Sequence, residues 1–510
     1  MTAIPHHSVE RWVVAGLLSL LTATLLFTAI AALHAPLPLA GVLAVLASVP
    51  LALWTAKRLP RDWDGIRSRR PAVSALWVLL MLAAIVRTAG VALFMADPTL
   101  APLSAFGFDP FYIGHSCYSG YWQAANLARE GVPNLYDLQH YHGKTAGIFR
   151  FDEFMYLPQF LLLPLIGVAF GGDFEQLRAL WFTVEGGALL ACMIALSAWI
   201  AGQPGRRTAL LIPAVWIASP VLLTLQLGNF QLTAISLSVV AMALFWRDRP
   251  VLGGALFGFA VFKVFPGILG IYLIATRRWK ALGWTLGFSL LYTIIAFIWM
   301  GEEPFRALFE YQLPRMASGE AWGFLEIKEL GFVTAINDSV PGIVYKLNAL
   351  QVPGMTRALT QQISWAWTLV VVVLTIFSAM RASRMSRLEL AATWLALLAL
   401  ASFRSPFLPD HTGLFAPLWI WSLVAAGSAA TGGRTFLFVL MWVALSTVVP
   451  FTGTPLDDGM DRFIVSGISQ VIAVGLCLWV VLRKPAAMRG NDRKDPLAHP
   501  VPFTPRASVG

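Results

Sequence analysis

Charge is what this sequence has least of. Only 13% of its 510 residues are Asp, Glu, Lys or Arg, about half the roughly 25% carried by soluble domains. A chain that is 57% hydrophobic, with a mean hydropathy of +0.69, can bury a large core but cannot coat one for water. Cysteine is scarce as well. Of Cys117, Cys192 and Cys477, the last two lie in apolar runs, so no disulfide framework is implied. Also missing are a Gly-Lys-Ser/Thr phosphate loop, a dinucleotide fingerprint and a Cys/His metal spacing. The pairs His6-His7 and His140/His142 have no supporting ligands. No metal and no cofactor are therefore expected, and nothing suggests a soluble nucleotide-sugar domain. The net charge of +10 does not point to nucleic acid, because the basic residues punctuate apolar runs instead of forming one patch.

What fills the chain is apolar runs close to the roughly 20 residues that span hydrocarbon. They include Trp12–Leu33, Leu37–Trp54, Ala72–Met95, Ala179–Ala201, Leu282–Met300, Ile363–Met380, Thr435–Pro450 and Phe463–Leu482. The fold class expected is an all-α polytopic membrane protein of 11 to 13 spans, with membrane lipid as its solvent. The first two runs read as a hairpin of spanning helices, because the first is long and lacks a small-residue cleavage site. Residues 1–482 form one membrane-embedded domain, and 483–510 read as a disordered cytoplasmic tail.

Orientation follows from basic residues in short loops. Lys57, Arg58, Arg61, Arg67, Arg69 and Arg70 face only Asp62 and Asp64, which puts Lys57–Arg70 in the cytoplasm. The long, acid-rich connections 96–155 and 301–361 then fall on the extracytoplasmic side of the cell membrane. Between Met155 and Arg277 the parity of full spans fails. Tyr156–Phe170 is short and holds Pro158 and Pro164; Thr208–Trp246 is broken by Pro213, Pro220 and Gly228; Val251–Thr276 is interrupted by Lys263 and Pro266. At least one of these must be a half-helix or re-entrant element, tolerated where protein or a wet cavity satisfies its backbone.

An ordered set of local patterns runs through the same region. It begins with Tyr121-Trp122-Gln123-Ala124-Ala125, Leu135-Tyr136-Asp137 and Phe154-Met155-Tyr156-Leu157-Pro158. Leu227-Gly228-Asn229-Phe230-Gln231 and Gly254…Gly258…Lys263…Pro266 follow, then Asn337-Asp338-Ser339 and Ser405-Pro406…His411…Pro417. Over about 109–417 the chain resembles glycosyltransferase family 87, membrane enzymes of the GT-C architecture. The resemblance implies transfer of a hexose, typically mannose, from a polyprenyl-phosphate donor to a lipid or glycan acceptor on the extracytoplasmic face.

Such a transfer needs a carboxylate to take the acceptor's proton and fixed cations or donors for the phosphate. The resemblance points to an acidic residue in the first long connection. Asp109 is the leading candidate, with Asp152 and Glu153 as fallback and Asp137 behind them as a loop residue. The family's Asp lies three or four residues before the Tyr-Trp pair, a position near Cys117 here, whereas Asp109 is twelve before Tyr121. The alternative reading of Asp109 is a turn former, since Asp-Pro starts turns. His411, Arg404 and Lys263 are the phosphate candidates. Lys263 stands out as an ionisable group in an apolar run, although snorkelling explains it equally well. Asn229, Gln231, Tyr121 and Trp122 are candidates for sugar or acceptor contact, against helix–helix polar glue and interfacial aromatic belts. Two other function classes fit the layout: a transporter or lipid flippase, and a surface-glycan polymerase or ligase.

Overall fold

A computed structural model describes residues 7–58, 71–326, 331–428, 432–450 and 460–482. Most of the basic Lys57–Arg70 connection, the 483–510 tail and His6 lie outside the described residues, and the orientation and tail expectations rest on them.

Among the described residues the protein is almost wholly helical; the exception is a two-stranded antiparallel hairpin, Thr145–Ala146 with Phe149–Arg150. Seven of the described helices are long and apolar enough to cross a membrane: Trp12–Ala31, Leu37–Ala56, Pro71–Ala96, Phe174–Ile200, Trp279–Met300, Arg357–Met380 and Arg462–Leu482. An eighth span is possible if the bent pair Ser219–Leu227 and Gln231–Trp246 counts as one. The described residues therefore hold seven or eight candidate spans, fewer than the 11 to 13 expected from run length, because several apolar runs are broken into short helices. Those too short to cross alone include Pro158–Ala169, Pro250–Lys263, Phe265–Ala275 and Gly433–Ser446.

The chain chemistry explains which helices sit inside. Phe174–Ile200 starts with a reciprocal capping box, Asp173 with Gln176, which satisfies two of the orphan amides at its first turn. It packs on the His7–Ala31, Pro71–Ala96 and Gln231–Trp246 helices, and 56% of its apolar window is buried against 17% for Trp279–Met300. The first is a central helix; the second turns most of its surface outward. Arg387–Ser402, opened by a Ser386/Glu389 capping box, and Phe415–Gly427 are buried along nearly their whole length. Trp394, Trp419 and Trp216 are the largest of the enclosed side chains.

Breaks fall where the prolines and Gly228 foretell them. Helices end at Leu210, Trp216 and Leu227, and the chain bends by 108° between Ser219–Leu227 and Gln231–Trp246. Gly228 makes that bend at φ 70°; a Cβ there would stand 3.0 Å from the Tyr118 Cβ and 3.1 Å from the Trp181 ring. Both the left-handed backbone and the close approach require glycine. The second break follows Lys263. Val264 adopts φ 70°, a costly conformation for a β-branched residue, before the chain resumes at Phe265.

Candidate functional site

The connection from Asp97 to Asp173 packs against the Pro71–Ala96 and Phe174–Ile200 helices that flank it. Three of its short helices are opened by an aspartate. Asp97 accepts from Thr99 N, Asp109 from Phe111 N and Asp137 from Gln139 N. The small hairpin is anchored by Arg178, whose guanidinium lies 4.1 Å from the Phe149 ring centre while donating to the Phe94 carbonyl at 2.9 Å. This ties the hairpin to the end of the Pro71–Ala96 helix. A backbone bridge from His115 to Arg150 then aligns the two segments that matter. Ser119 Oγ donates to the Arg150 carbonyl and accepts from Asp152 N at 2.9 Å. Gly120 permits the contact, since a Cβ there would stand 2.7 Å from the Asp152 carbonyl oxygen.

The two helix breaks meet through Lys263 and Asn229. Lys263 Nζ donates to Asn229 Oδ1 at 3.0 Å and to the Tyr156 hydroxyl, and lies 4.4 Å from the Tyr156 ring centre. Tyr156 and Tyr121 share a hydroxyl–hydroxyl bond of 2.7 Å, and their rings pack edge to face at 5.0 Å. Asn229 Oδ1 also accepts from Gln231 N, and its Nδ2 donates to Cys117 Sγ at 3.4 Å. Cys117 Sγ, His115 Nε2 and an Asp152 carboxylate oxygen all lie within 4.8 Å of one another. The arrangement is thus one continuous polar chain, Asp152–Cys117–Asn229–Lys263–Tyr156–Tyr121. Asp152, His115, Asn229, Lys263 and Tyr156 are half-buried in it. A cavity of about 240 Å³ opens beside His115, lined also by Pro110, Phe111, Gly114 and Arg150.

Half-buried polar groups gathered where two membrane helices break are a reacting site's usual setting. The sequence model of glycosyltransferase family 87 matches residues 154–408, half of the chain. The chain belongs to glycosyltransferase family 87. It is a multi-pass membrane glycosyltransferase of the GT-C type. No curated protein and no solved structure matches it. Membership sets the transporter reading aside. Tyr156, Asn229 and Lys263 lie inside the family match, while Asp109, Asp152 and Glu153 precede it.

The candidates of this family 87 glycosyltransferase fare differently. Lys263, Asn229 and Tyr121 come together as described, with Asp152 at the rim. Asp109 does not join them: it is fully buried, and its Oδ1 caps Pro110–Gly114, the geometry of a turn former. Glu153 is engaged by His142 at 2.7 Å and stands 4.0 Å from Arg315. Gln231 is buried, its Nε2 lacking a hydrogen-bond partner. Trp122 packs on Phe151 and Phe174, a packing position. The other two phosphate candidates, Arg404 and His411, sit in different surroundings. Arg404 is exposed, donates from Nε to Thr368 Oγ1 at 2.7 Å and lies over the Trp365 ring. His411 is buried edge-on to Tyr112, with neither ring nitrogen hydrogen-bonded, and lies within electrostatic reach of His115 and Asp152.

Asn337-Asp338-Ser339 turns out to be a fastener. Asn337 Oδ1 accepts from Leu408 N, its Nδ2 donates to the Pro406 carbonyl, and Ser339 Oγ donates to the same carbonyl. Asp338 accepts from Ser466 and stands 3.9 Å from Lys346; burial raises its carboxyl above the ordinary range, against the pull of Lys346. The two motifs quoted from opposite sides of the Arg357–Met380 helix are therefore stitched to each other.

Sequence reasoning passed over Glu185 and Arg315. Glu185 is 1% exposed inside the Phe174–Ile200 helix, where Thr233 donates to it. The signal was available: a carboxylate in an apolar run carries the same warning that singled out Lys263. Arg315 follows a π-helical turn, Leu308–Gln312, for which the sequence offers no comparable marker.

Proposed function

We propose that this glycosyltransferase moves a hexose from a polyprenyl-phosphate donor to a hydroxyl of a lipid or glycan acceptor on the extracytoplasmic face, with inversion, and that Asp152 is the base. One observation carries the reading. Asp152 is a carboxylate with a 39% exposed side chain, joined through Cys117 and Asn229 to the Lys263 ammonium. A proton acceptor needs access to the acceptor hydroxyl, which Asp152 has and the enclosed Asp109 lacks. A departing phosphate needs a fixed cation, and Lys263 is held by two hydrogen bonds before any substrate arrives.

In this mechanism the acceptor hydroxyl gives its proton to Asp152 as its oxygen attacks the anomeric carbon. The bond from that carbon to the phosphate oxygen breaks on the opposite face. The electron pair leaves with polyprenyl phosphate, whose negative charge meets Lys263. Asn229 and Tyr156 keep the ammonium in place, and Tyr121 sets the Tyr156 hydroxyl. A mannosyl group is the sugar the family resemblance favours.

The test is to incubate the purified full-length protein with synthetic polyprenyl-phosphate hexoses and a membrane lipid extract, then read products by mass spectrometry. The expected result is an acceptor heavier by one hexose with release of polyprenyl phosphate. Transfer from nucleotide sugars alone, with lipid-linked donors inert, contradicts the reading.

A further inference from the structure

His115, Cys117 and Asp152 have a geometry that the transfer reaction does not require. Cys117 Sγ is 3.8 Å from His115 Nε2, and Asp152 Oδ2 is 4.0 Å from that same nitrogen. In a tetrahedral zinc site, bonds of about 2.0–2.3 Å put neighbouring donors roughly 3.3–3.8 Å apart. A contraction of about 1 Å or less at the widest edge closes the triangle around an ion, and the half-exposed Asp152 side chain has room to make it. We propose that these residues form a binding site for a divalent cation of the zinc class.

The donor set selects the metal. Sulfur, imidazole nitrogen and carboxylate oxygen together suit zinc, and argue against magnesium or calcium, which take oxygen ligands. Thiolate and carboxylate offset the ion's two charges. The surroundings resemble the outer layer of groups that orient metal ligands. Asn229 Nδ2 donates to the sulfur, and Lys263 and the Gln231 amide hold Asn229 Oδ1. Phe111 stacks on the His115 ring at 5.1 Å and 14°. The His115 backbone is bridged to Arg150, two residues before Asp152. A cavity adjoins the site at His115.

Three protein ligands with an open fourth position are the pattern of an accessible site rather than a sealed structural one. The site escaped the sequence reading because His115-x-Cys117 is only half a motif and its third member lies 35 residues on. An ion here takes hold of the Asp152 oxygen that faces the acceptor in the transfer mechanism, so zinc and transfer compete. The site itself stands on geometry alone.

The experiment uses full-length protein in detergent, stripped with chelator, re-equilibrated with zinc and desalted, with metal measured by mass spectrometry. About one zinc per chain is expected, with affinity lowered by about a hundredfold or more in Cys117→Ser and in His115→Ala. Cys192→Ser, a change at a buried cysteine elsewhere, keeps it. Cobalt substitution supplies a second readout, a sulfur-to-metal absorption band present in the wild type and lost in Cys117→Ser. No retained zinc, or equal zinc in Cys117→Ser and wild type, overturns the proposal. The two readings fail separately: zinc binding with a fully active Asp152→Asn removes the base and leaves the site, while an inactive Asp152→Asn without zinc binding does the reverse.

Discussion

Replacing Lys263 with methionine removes one ammonium from the site while keeping most of the side chain's length and apolar stem. The ammonium donates to Asn229 Oδ1 at 3.0 Å and to the Tyr156 hydroxyl, and sits over the Tyr156 ring. It is therefore positioned before the phosphate's charge develops, and that pre-organisation is what makes a fixed cation catalytic. Loss of one such contact costs about 3 kcal/mol, or roughly a hundredfold in rate. Folding should suffer far less. A half-buried charge among the apolar helices Pro250–Lys263 and Phe265–Ala275 carries a desolvation penalty that methionine relieves, while Asn229 retains its bond from Gln231 N. The assay is transfer by purified protein in lipid nanodiscs at varied donor concentration. The expected result is kcat lowered by about a hundredfold, with unchanged elution and melting temperature. Lys263→Arg restores the charge without the compact geometry and should recover only part of the rate. A Lys263→Met enzyme turning over within threefold of wild type removes Lys263 from the phosphate site.

Three further outcomes follow from particular contacts. Arg404→Ala should leave transfer within about threefold of wild type, the range of a surface change, because Arg404 leans on Thr368 and Trp365; a hundredfold loss in the same assay returns it to the site. Gly228→Ala forces a Cβ against Tyr118 and Trp181 at φ 70° and should destabilise by about 1–3 kcal/mol, read as a lower melting temperature; an unchanged value refutes the role assigned to that bend. A cysteine at Val132 should react with an impermeant thiol reagent in intact cells, since the native cysteines are buried; labelling only after permeabilisation reverses the orientation used in the mechanism.

How far the sequence could be read depended on whether a feature was local. The long apolar runs became helices because length and hydropathy are properties of one segment. Pro213, Pro220 and Gly228 marked breaks because each acts on its own backbone. Lys263 was conspicuous for the same reason, as a charge among apolar neighbours. The convergence of Asp152 with Cys117, Asn229 and Lys263 was not visible, since it joins residues 112 and 34 positions apart at single contacts. The Asp109–Pro110 pair attracted the base assignment because a turn-forming aspartate and a catalytic one look alike in sequence; the burial of Asp109 and its cap to Phe111 could not be read from that pair. Arg404 and His411 were both phosphate candidates, His411 through the family resemblance and Arg404 through its forked guanidinium. The turn between them sends one toward Thr368 and buries the other beside Tyr112.

The central claim is that Asp152 takes the acceptor's proton, and side-by-side rates for Asp152→Asn and Asp109→Asn test it most directly. Asparagine keeps the size and most polar contacts of either residue while deleting the ability to accept a proton. It can still cap the short helix as Asp109 does through Phe111 N. With donor and acceptor saturating, Asp152→Asn should fall by about 10² to 10⁴, the usual worth of a general base, with donor binding retained because Lys263 is untouched. Asp109→Asn should stay within about threefold of wild type. The opposite order, a nearly active Asp152→Asn beside an inactive and well-folded Asp109→Asn, contradicts the account.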